Sequence, residues 1–220
     1  MTSAVLGDNV KSIGNYAFSD CSNLTNLDLG NSLVTIGEYA FKASGISSIT
    51  IPNSVTKIGK YCFANNTKLE KVTIGNGCRE LPYGIFSGCS ALTSVVLNDG
   101  LEKISNDAFD ICKSLESISI PGTVVQIGET YDSSNNGSSL PFYNCTALKS
   151  VRFEDGEKGL VLGATYYDGS NSQYGSRGLF SYCPLEEVYI GRNISYQDYS
   201  YTFEKKTEYY GYSAFLINQS

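Results

Sequence analysis

The stretch Val55-Thr56-Lys57-Ile58-Gly59-Lys60-Tyr61-Cys62-Phe63-Ala64-Asn65-Asn66-Thr67-Lys68-Leu69-Glu70-Lys71-Val72-Thr73-Ile74-Gly75 contains one whole unit of a repeat. Its end, Val72-Thr73-Ile74, alternates apolar and polar side chains, which is the period of a strand. Gly75 then stops the strand. Phe63 belongs to a series: Phe18, Phe41, Phe63, Phe86 and Phe109 fall 23, 22, 23 and 23 residues apart, and Phe142, Phe180 and Phe215 continue at wider intervals. A side chain recurring at this period marks a solenoid, in which each coil stacks on the last.

Other columns keep the same beat. Leu24, Ile46, Leu69, Leu92, Leu115, Leu148 and Leu185 share one place. Leu27, Ile49, Val72, Val95, Ile118, Val151 and Val188 share a second, and Leu29, Ile51, Ile74, Leu97, Ile120, Phe153 and Ile190 a third. The β-branched content of the last two fits strands. Ile13, Ala17, Phe18 and Cys21 lie at i, i+4, i+5 and i+8, which predicts one face of a short helix. The Val-x-x-Ile piece before it is read as short and extended. The fold class is therefore α/β: a solenoid of ~23-residue coils, with parallel strands on one face and short helices or turns on another. A single unit cannot stand alone. Burying six or seven apolar side chains at roughly 1.5–3 kcal/mol each does not offset the entropy of ordering the coil without its neighbours.

These residues resemble a known family. The string from Val55 to Phe63 followed by Leu69 to Ile74, and Gly100-Leu101-Glu102-Lys103-Ile104 leading to Ala108, Phe109, Cys112 and Leu115, are similar to the BspA-like class of leucine-rich repeats. The resemblance covers essentially the whole chain. It implies a right-handed solenoid and a surface-exposed or secreted protein that binds host or neighbouring-cell components. The domain expectation is one solenoid over 1–220, with regular repeats at 3–129 and repeats carrying long insertions at 130–220. Ala4 and Leu6 already match strand columns, and Asn218-Gln219-Ser220 stops just before the next expected Leu. Neither end reads as a polar capping coil, so the sequence is expected to be part of a longer protein.

Composition narrows the function. The net charge of −6 argues against a nucleic-acid partner, which needs a basic stripe. No window approaches 18 consecutive apolar residues, so membrane insertion is not expected, and no signal peptide is visible. The chain has no histidine, which removes Ser-His and Cys-His nucleophile schemes, and it has no Cys-x-x-Cys pair to hold zinc. Neither cofactor nor metal is expected. Five of the seven cysteines, Cys21, Cys89, Cys112, Cys145 and Cys183, sit three residues after a marker Phe, where Ser44, Asn66 and Asn218 stand in other coils. This reads as a column of small inward side chains at a bend, with Cys62 and Cys78 in other small-residue places, rather than as a disulfide framework.

Candidate sites gather late in the chain. Long insertions, roughly 130–140, 165–178 and 196–213, enter three successive coils at the same point, between the Ile-Gly element and the marker Phe. Insertions at one register often mark a binding face. Thirteen of the seventeen tyrosines fall between Tyr131 and Tyr212, mixed with Ser, Gly, Asn and Asp, a composition that paratope loops use. The candidate ligand-binding residues are Tyr131, Asp132, Tyr166, Tyr167, Asp168, Tyr174, Tyr199, Tyr201, Tyr209 and Tyr210. Arg152, Glu187 and Tyr189 join them from the adjacent strand face. The bland reading is that the insertions pack on each other and shield one edge. Asp132-Ser133-Ser134-Asn135-Asn136-Gly137 resembles the start of a calcium loop, but its twelfth place is Tyr143 rather than Glu. Tyr16, Tyr39 and Tyr61 form a ladder read as packing. Glu154, Asp155, Glu186 and Glu187 are the best carboxylate cluster for glycosidase chemistry; the simpler reading is a solvated patch balanced by Arg152 and Lys158. The expected function is a non-enzymatic binding or adhesion module for a protein or glycan on a host or neighbouring cell. The alternatives are a stalk presenting another domain and, third, a carbohydrate-active enzyme. Oligomeric state is not legible.

Overall fold

A computed structural model describes residues 1–128, 140–163 and 178–196, and the backbone of two further strands at 199–203 and 206–210. In chain order the strands of these residues are β1 (Ser3–Val5), β2 (Ser12–Ile13), β3 (Asn26–Asp28), β4 (Thr35–Ile36), β5 (Ser48–Thr50), β6 (Lys57–Ile58), β7 (Lys71–Thr73), β8 (Glu80–Leu81) and β9 (Ser94–Val96). There follow β10 (Lys103–Ile104), β11 (Ser117–Ile120), β12 (Gln126–Ile127), β13 (Ser150–Phe153), β14 (Leu160–Leu162), β15 (Glu187–Ile190), β16 (Ile194–Tyr196), β17 (Tyr199–Phe203) and β18 (Lys206–Tyr210). Through β16, odd-numbered strands form one face and even-numbered strands a second. Both faces are parallel, as coils wound in one sense require. The first face runs as β1-β3, β5-β7-β9 and β11-β13-β15; the second as β2-β4-β6 and β8-β10-β12-β14-β16. The Val-x-x-Ile element is thus a strand ladder in its own right.

The register follows the repeat. Lys71 pairs with Ser48 and with Ser94, and Ser150 with Ser117 and with Glu187. On each first-face strand the middle residue points inward: Ile49, Val72, Ile118 and Val151 are all buried. The core is one continuous strip along the axis. The marker rings run through it as a single column, with centroids 5.1, 5.3, 5.8, 5.7, 5.3 and 5.1 Å apart from Phe18 through Phe41, Phe63, Phe86, Phe109 and Phe142 to Phe180. The rings from Phe41 to Phe180 are fully buried. The eighth marker, Phe215, lies outside the described residues.

The third side of each coil corrects the sequence reading. No helix occurs among the described residues. Residues two before and two after the marker Phe adopt the left-handed conformation: Tyr16 and Asp20, Tyr39 and Ala43, Tyr61 and Asn65, Gly84 and Gly88, Asp107 and Ile111. Two such residues per coil stop a right-handed helix. They turn alternate amides out of the coil. The N–H groups of Tyr16, Phe18 and Asp20 donate to the carbonyls of Glu38, Ala40 and Lys42 in the next coil, while Ala17, Ser19 and Cys21 donate back within their own. The apolar spacing is real, but its hydrogen bonds run between coils.

The cysteine column closes the same corner. Cys89, Cys112, Cys145 and Cys183 donate Sγ–H to the carbonyls of Phe63, Phe86, Phe109 and Phe142, at 3.1, 3.3, 3.0 and 3.0 Å. Asn66 fills the place with bonds to the carbonyls of Phe41 and Phe63, and Ser44 donates to Asn66. All seven cysteines are free thiols. Burial pushes the Cys89 thiol up to about 12 and Cys78 up to about 11.

Candidate functional site

Two columns of side chains point outward from the first face. Val5, Asp28, Thr50, Thr73, Val96 and Ser119 form one, and it ends in Arg152 and Tyr189, which the register places side by side. Ser117, Ser150 and Glu187 belong to the other. A shallow hollow of about 430 Å³ runs past Thr50, Thr73 and Val96 toward the corner residues Asn53 and Asn76. Its small side chains offer few anchors.

The end of the face is different. The Arg152 guanidinium lies 3.7 Å from the centroid of the Tyr189 ring, a stacked cation–π pair. Arg152 Nε donates to Glu154 Oε2 at 3.0 Å, and Ser119 Oγ donates to Glu154 Oε1. The Tyr189 hydroxyl donates to Asp155 Oδ1 at 3.1 Å. The Ser119 and Arg152 donors hold the Glu154 carboxyl below the usual range, and the Glu154 carboxylate raises Arg152. These contacts tie an exposed Arg–Tyr pair to Ser119, Glu154 and Asp155. Glu187 stands at the register of Ser150, two residues from Tyr189 on the outward side, and Lys149 pairs with Glu186 at 2.9 Å. Of the expected carboxylate cluster, Glu154 accepts from Ser119 and Arg152, and Asp155 from Tyr189.

The structure brings Arg152, Tyr189 and Glu187 onto one surface. Tyr131, Asp132, Tyr166, Tyr167, Asp168 and Tyr174 lie outside the described residues, as does the Asp132–Gly137 segment. Their points of departure are described. The chain leaves β12 before the first insertion, β14 before the second and β16 before the third, and these three are consecutive strands of one sheet. The third, expected as a loop, contains the antiparallel pair β17–β18, with Tyr199 opposite Tyr210 and Tyr201 opposite Glu208. Alternation in Tyr199-Ser200-Tyr201-Thr202-Phe203 accounts for the strand.

Arg192 belongs to no motif of the sequence. It is 8% exposed, and its Nη1 donates to the carbonyls of Gly122 and Val124 and its Nη2 to that of Pro121. The hint lay in spacing. Gln126 is six residues beyond Ile120, whereas its ladder partner Val161 is eight beyond Phe153. The corner 154–159 is two residues longer than its neighbour, and Arg192 reaches across that rung to the corner two rungs away. Burial lowers the Arg192 pKa from its ordinary value.

The tyrosine ladder exists: the Tyr16 and Tyr39 rings stack at 4.9 Å and the Tyr39 and Tyr61 rings at 5.2 Å. Stacked rings cover one another's faces, which supports the packing reading. Among the described residues no group of three or more Cys, Asp or Glu is placed to hold a metal ion.

The architecture is that of a leucine-rich-repeat solenoid. Residues 1–116 match the BspA type leucine rich repeat region in six copies, and the chain belongs to that family. Among solved structures it is similar to a leucine-rich repeat protein from Bacteroides ovatus, at 28% identity and a TM-score of 0.59, over 88% of this chain and 56% of that one. It is also similar in fold to the T. pallidum leucine rich repeat protein, at 23% identity and a TM-score of 0.53, over 89% of this chain and 72% of that one. The chain thus spans little more than half the length of the Bacteroides protein. No curated protein matches the chain.

Proposed function

We propose that this chain is the recognition part of a cell-surface or secreted protein, binding a protein or glycan through the Tyr-rich insertions and the strand end beside them. One observation carries the reading: three insertions leave adjacent rungs of one sheet at the same register, in the half of the solenoid where the outward column changes from Ser and Thr to the locked Arg152–Tyr189 pair. Repeat proteins are scaffolds whose specificity sits in such decoration. The test deletes the three insertions with the register kept and, separately, changes Arg152 to Ala together with Tyr189 to Ser. Binding to cells and to matrix components should fall in both. Unchanged binding in both would refute the reading. The second reading, a stalk for another domain, draws support from the small outward residues Ser48, Thr50, Thr73 and Ser94, and predicts no binding by this chain at all. Enzymatic action on a glycan would show as turnover abolished by Glu187→Gln; none is expected.

A further inference from the structure

Four corners between the two sheets are four-residue turns stacked in register. Val55, Cys78, Leu101 and Val124 donate their N–H groups back to the carbonyls of Pro52, Gly75, Asn98 and Pro121, at 3.1, 3.2, 3.2 and 3.1 Å. The central pairs of these turns are Asn53-Ser54, Asn76-Gly77, Asp99-Gly100 and Gly122-Thr123. Among the described residues, Asn76 is the one asparagine followed by a glycine. The stacking demands that glycine. A Cβ on Gly77 would come within 2.4 Å of the Asn53 carbonyl oxygen and 2.5 Å of that of Val55. The close approach of the coils therefore places a residue without a side chain directly after Asn76.

An asparagine side-chain amide is open to attack by the backbone nitrogen of the next residue, and a Cβ on that residue obstructs the approach. Asparagine is thermolabile for this reason. The reaction needs the attacking N–H to be unbound and the amide to be mobile. At the neighbouring turn the N–H is held. Gly100 donates to Asn98 Oδ1 at 2.7 Å, and Asn98 is buried and anchored through its Nδ2 to the Cys78 carbonyl. Gly75 takes the place of Asn98 in the Asn76 turn and has no side chain to offer. Nor is there room for one, since a Cβ on Gly75 would lie 2.5 Å from the Ile51 carbonyl oxygen. The Gly77 N–H accordingly has no acceptor among the described residues. Asn76 is exposed, and its side chain has no partner among them either. Its own N–H is tied to Asn53 Oδ1 at 2.9 Å.

We infer that the Asn76–Gly77 turn is a self-modification site, at which the folded chain converts Asn76 to aspartate and isoaspartate without an enzyme. The Gly77 nitrogen gives its proton to hydroxide and bonds to Asn76 Cγ; the Cγ–Nδ2 bond breaks and ammonia leaves. Water then opens the cyclic imide. Addition at Cγ leaves aspartate, and addition at the main-chain carbonyl leaves isoaspartate, with one more methylene in the backbone. Either product adds a negative charge to the wall of the 430 Å³ hollow, one rung from Asp99, where like charges repel. The first face thus gains charge as the molecule ages. The test holds the folded chain at mildly alkaline pH and body temperature for several weeks. Peptide mass spectrometry then maps the products, and a protein isoaspartate methyltransferase reads isoaspartate. The tryptic peptide 72–79 contains Asn76 and no other asparagine. It should gain one mass unit well before the peptides of Asn31 and Asn53, which precede Ser, and Asn76→Gln should abolish the gain. Asp99, beside its capped Gly100, should stay unisomerised, and Asn98→Ser, which shortens the cap, should start isomerisation there. An Asn76 that stays intact in the folded chain while the urea-unfolded chain reacts would overturn the inference, as would equal rates at Asn31 and Asn53. Asp99 isomerising as fast in the native chain as in the Asn98→Ser variant would remove the cap argument on which it stands.

Discussion

Replacing Phe86 by Ala tests the interior column directly. The ring is fully buried, and its centroid lies 5.8 Å from that of Phe63 and 5.7 Å from that of Phe109. Its loss removes a large apolar surface and two ring contacts in a core that cannot close axially, because the ladder bonds fix the coil spacing. Phe→Ala in a rigid core costs about 3–5 kcal/mol, and the constraint puts this site at the upper end. Phe18 is the control: it is only half-buried and stacks on Phe41 alone. Phe18→Ala should cost about 1–2 kcal/mol by area. Urea unfolding followed by far-UV dichroism measures both. Because the Phe86 ring stacks only on those of the coils before and after it, Phe86→Ala should also split the transition, with coils on either side of the lesion unfolding separately. Equal losses for the two variants, with one shared sharp transition, would refute the idea of a single nearest-neighbour stack.

Ala43 sits at φ 51°. Ala43→Gly relieves a strain of about 1–2 kcal/mol against a chain-entropy cost of about 0.5–1 kcal/mol, so the midpoint should rise, whereas Ala64→Gly, at a site without positive φ, should lower it. Burial, and then the neighbouring Asp107, raise the Asp110 carboxyl to about 7. The folded state therefore holds a proton that the unfolded chain has released, so stability should fall as pH rises from about 4 to about 7, and Asp110→Asn should flatten that slope in a pH series of melts. Arg192→Met should destabilise by about 3 kcal/mol, because carbonyls under the corner lose their charged donor, and hydrogen exchange should accelerate at Gly122 and Val124. Cys21 is the one thiol of the seven that is not fully buried. A thiol reagent at pH 8 should label it first in the native protein and the others only on unfolding.

The aromatic column and both inward strand columns were legible because each position meets its own copy one rung away. Any drift in spacing would break stacking and pairing together. The turn side was not. An i, i+4, i+5, i+8 spacing reports which side chains share a buried side, and a coil that sends alternate amides to its neighbour satisfies it as well as a helix does. Asn65, Gly84, Gly88 and Asn144 are natural left-handed residues and hinted at this; Tyr16, Tyr39 and Ile111 hid it. At the candidate surface, Arg152 opposite Tyr189 followed from register alone. The locking by Ser119, Glu154 and Asp155 depends on side-chain reach, and Arg192 acts through a corner far away in sequence. The third insertion was read by composition as a loop, although its alternation already spelled out β17 and β18.

Around the marker Phe the bonds between coils run one way. From Tyr16 to Glu38, Tyr39 to Lys60 and Tyr61 to Tyr83, the N–H groups that leave the coil aim at the higher-numbered one. Peptide dipoles so aligned add, as along an α-helix, with the positive pole toward later coils. The second sheet opposes them: Val34, Gly37, Thr56 and Gly59 donate to Lys11, Ile13, Val34 and Ile36 of the lower-numbered coil. Each rung therefore carries a charge separation across its width, and every extra rung extends both antiparallel arrays together.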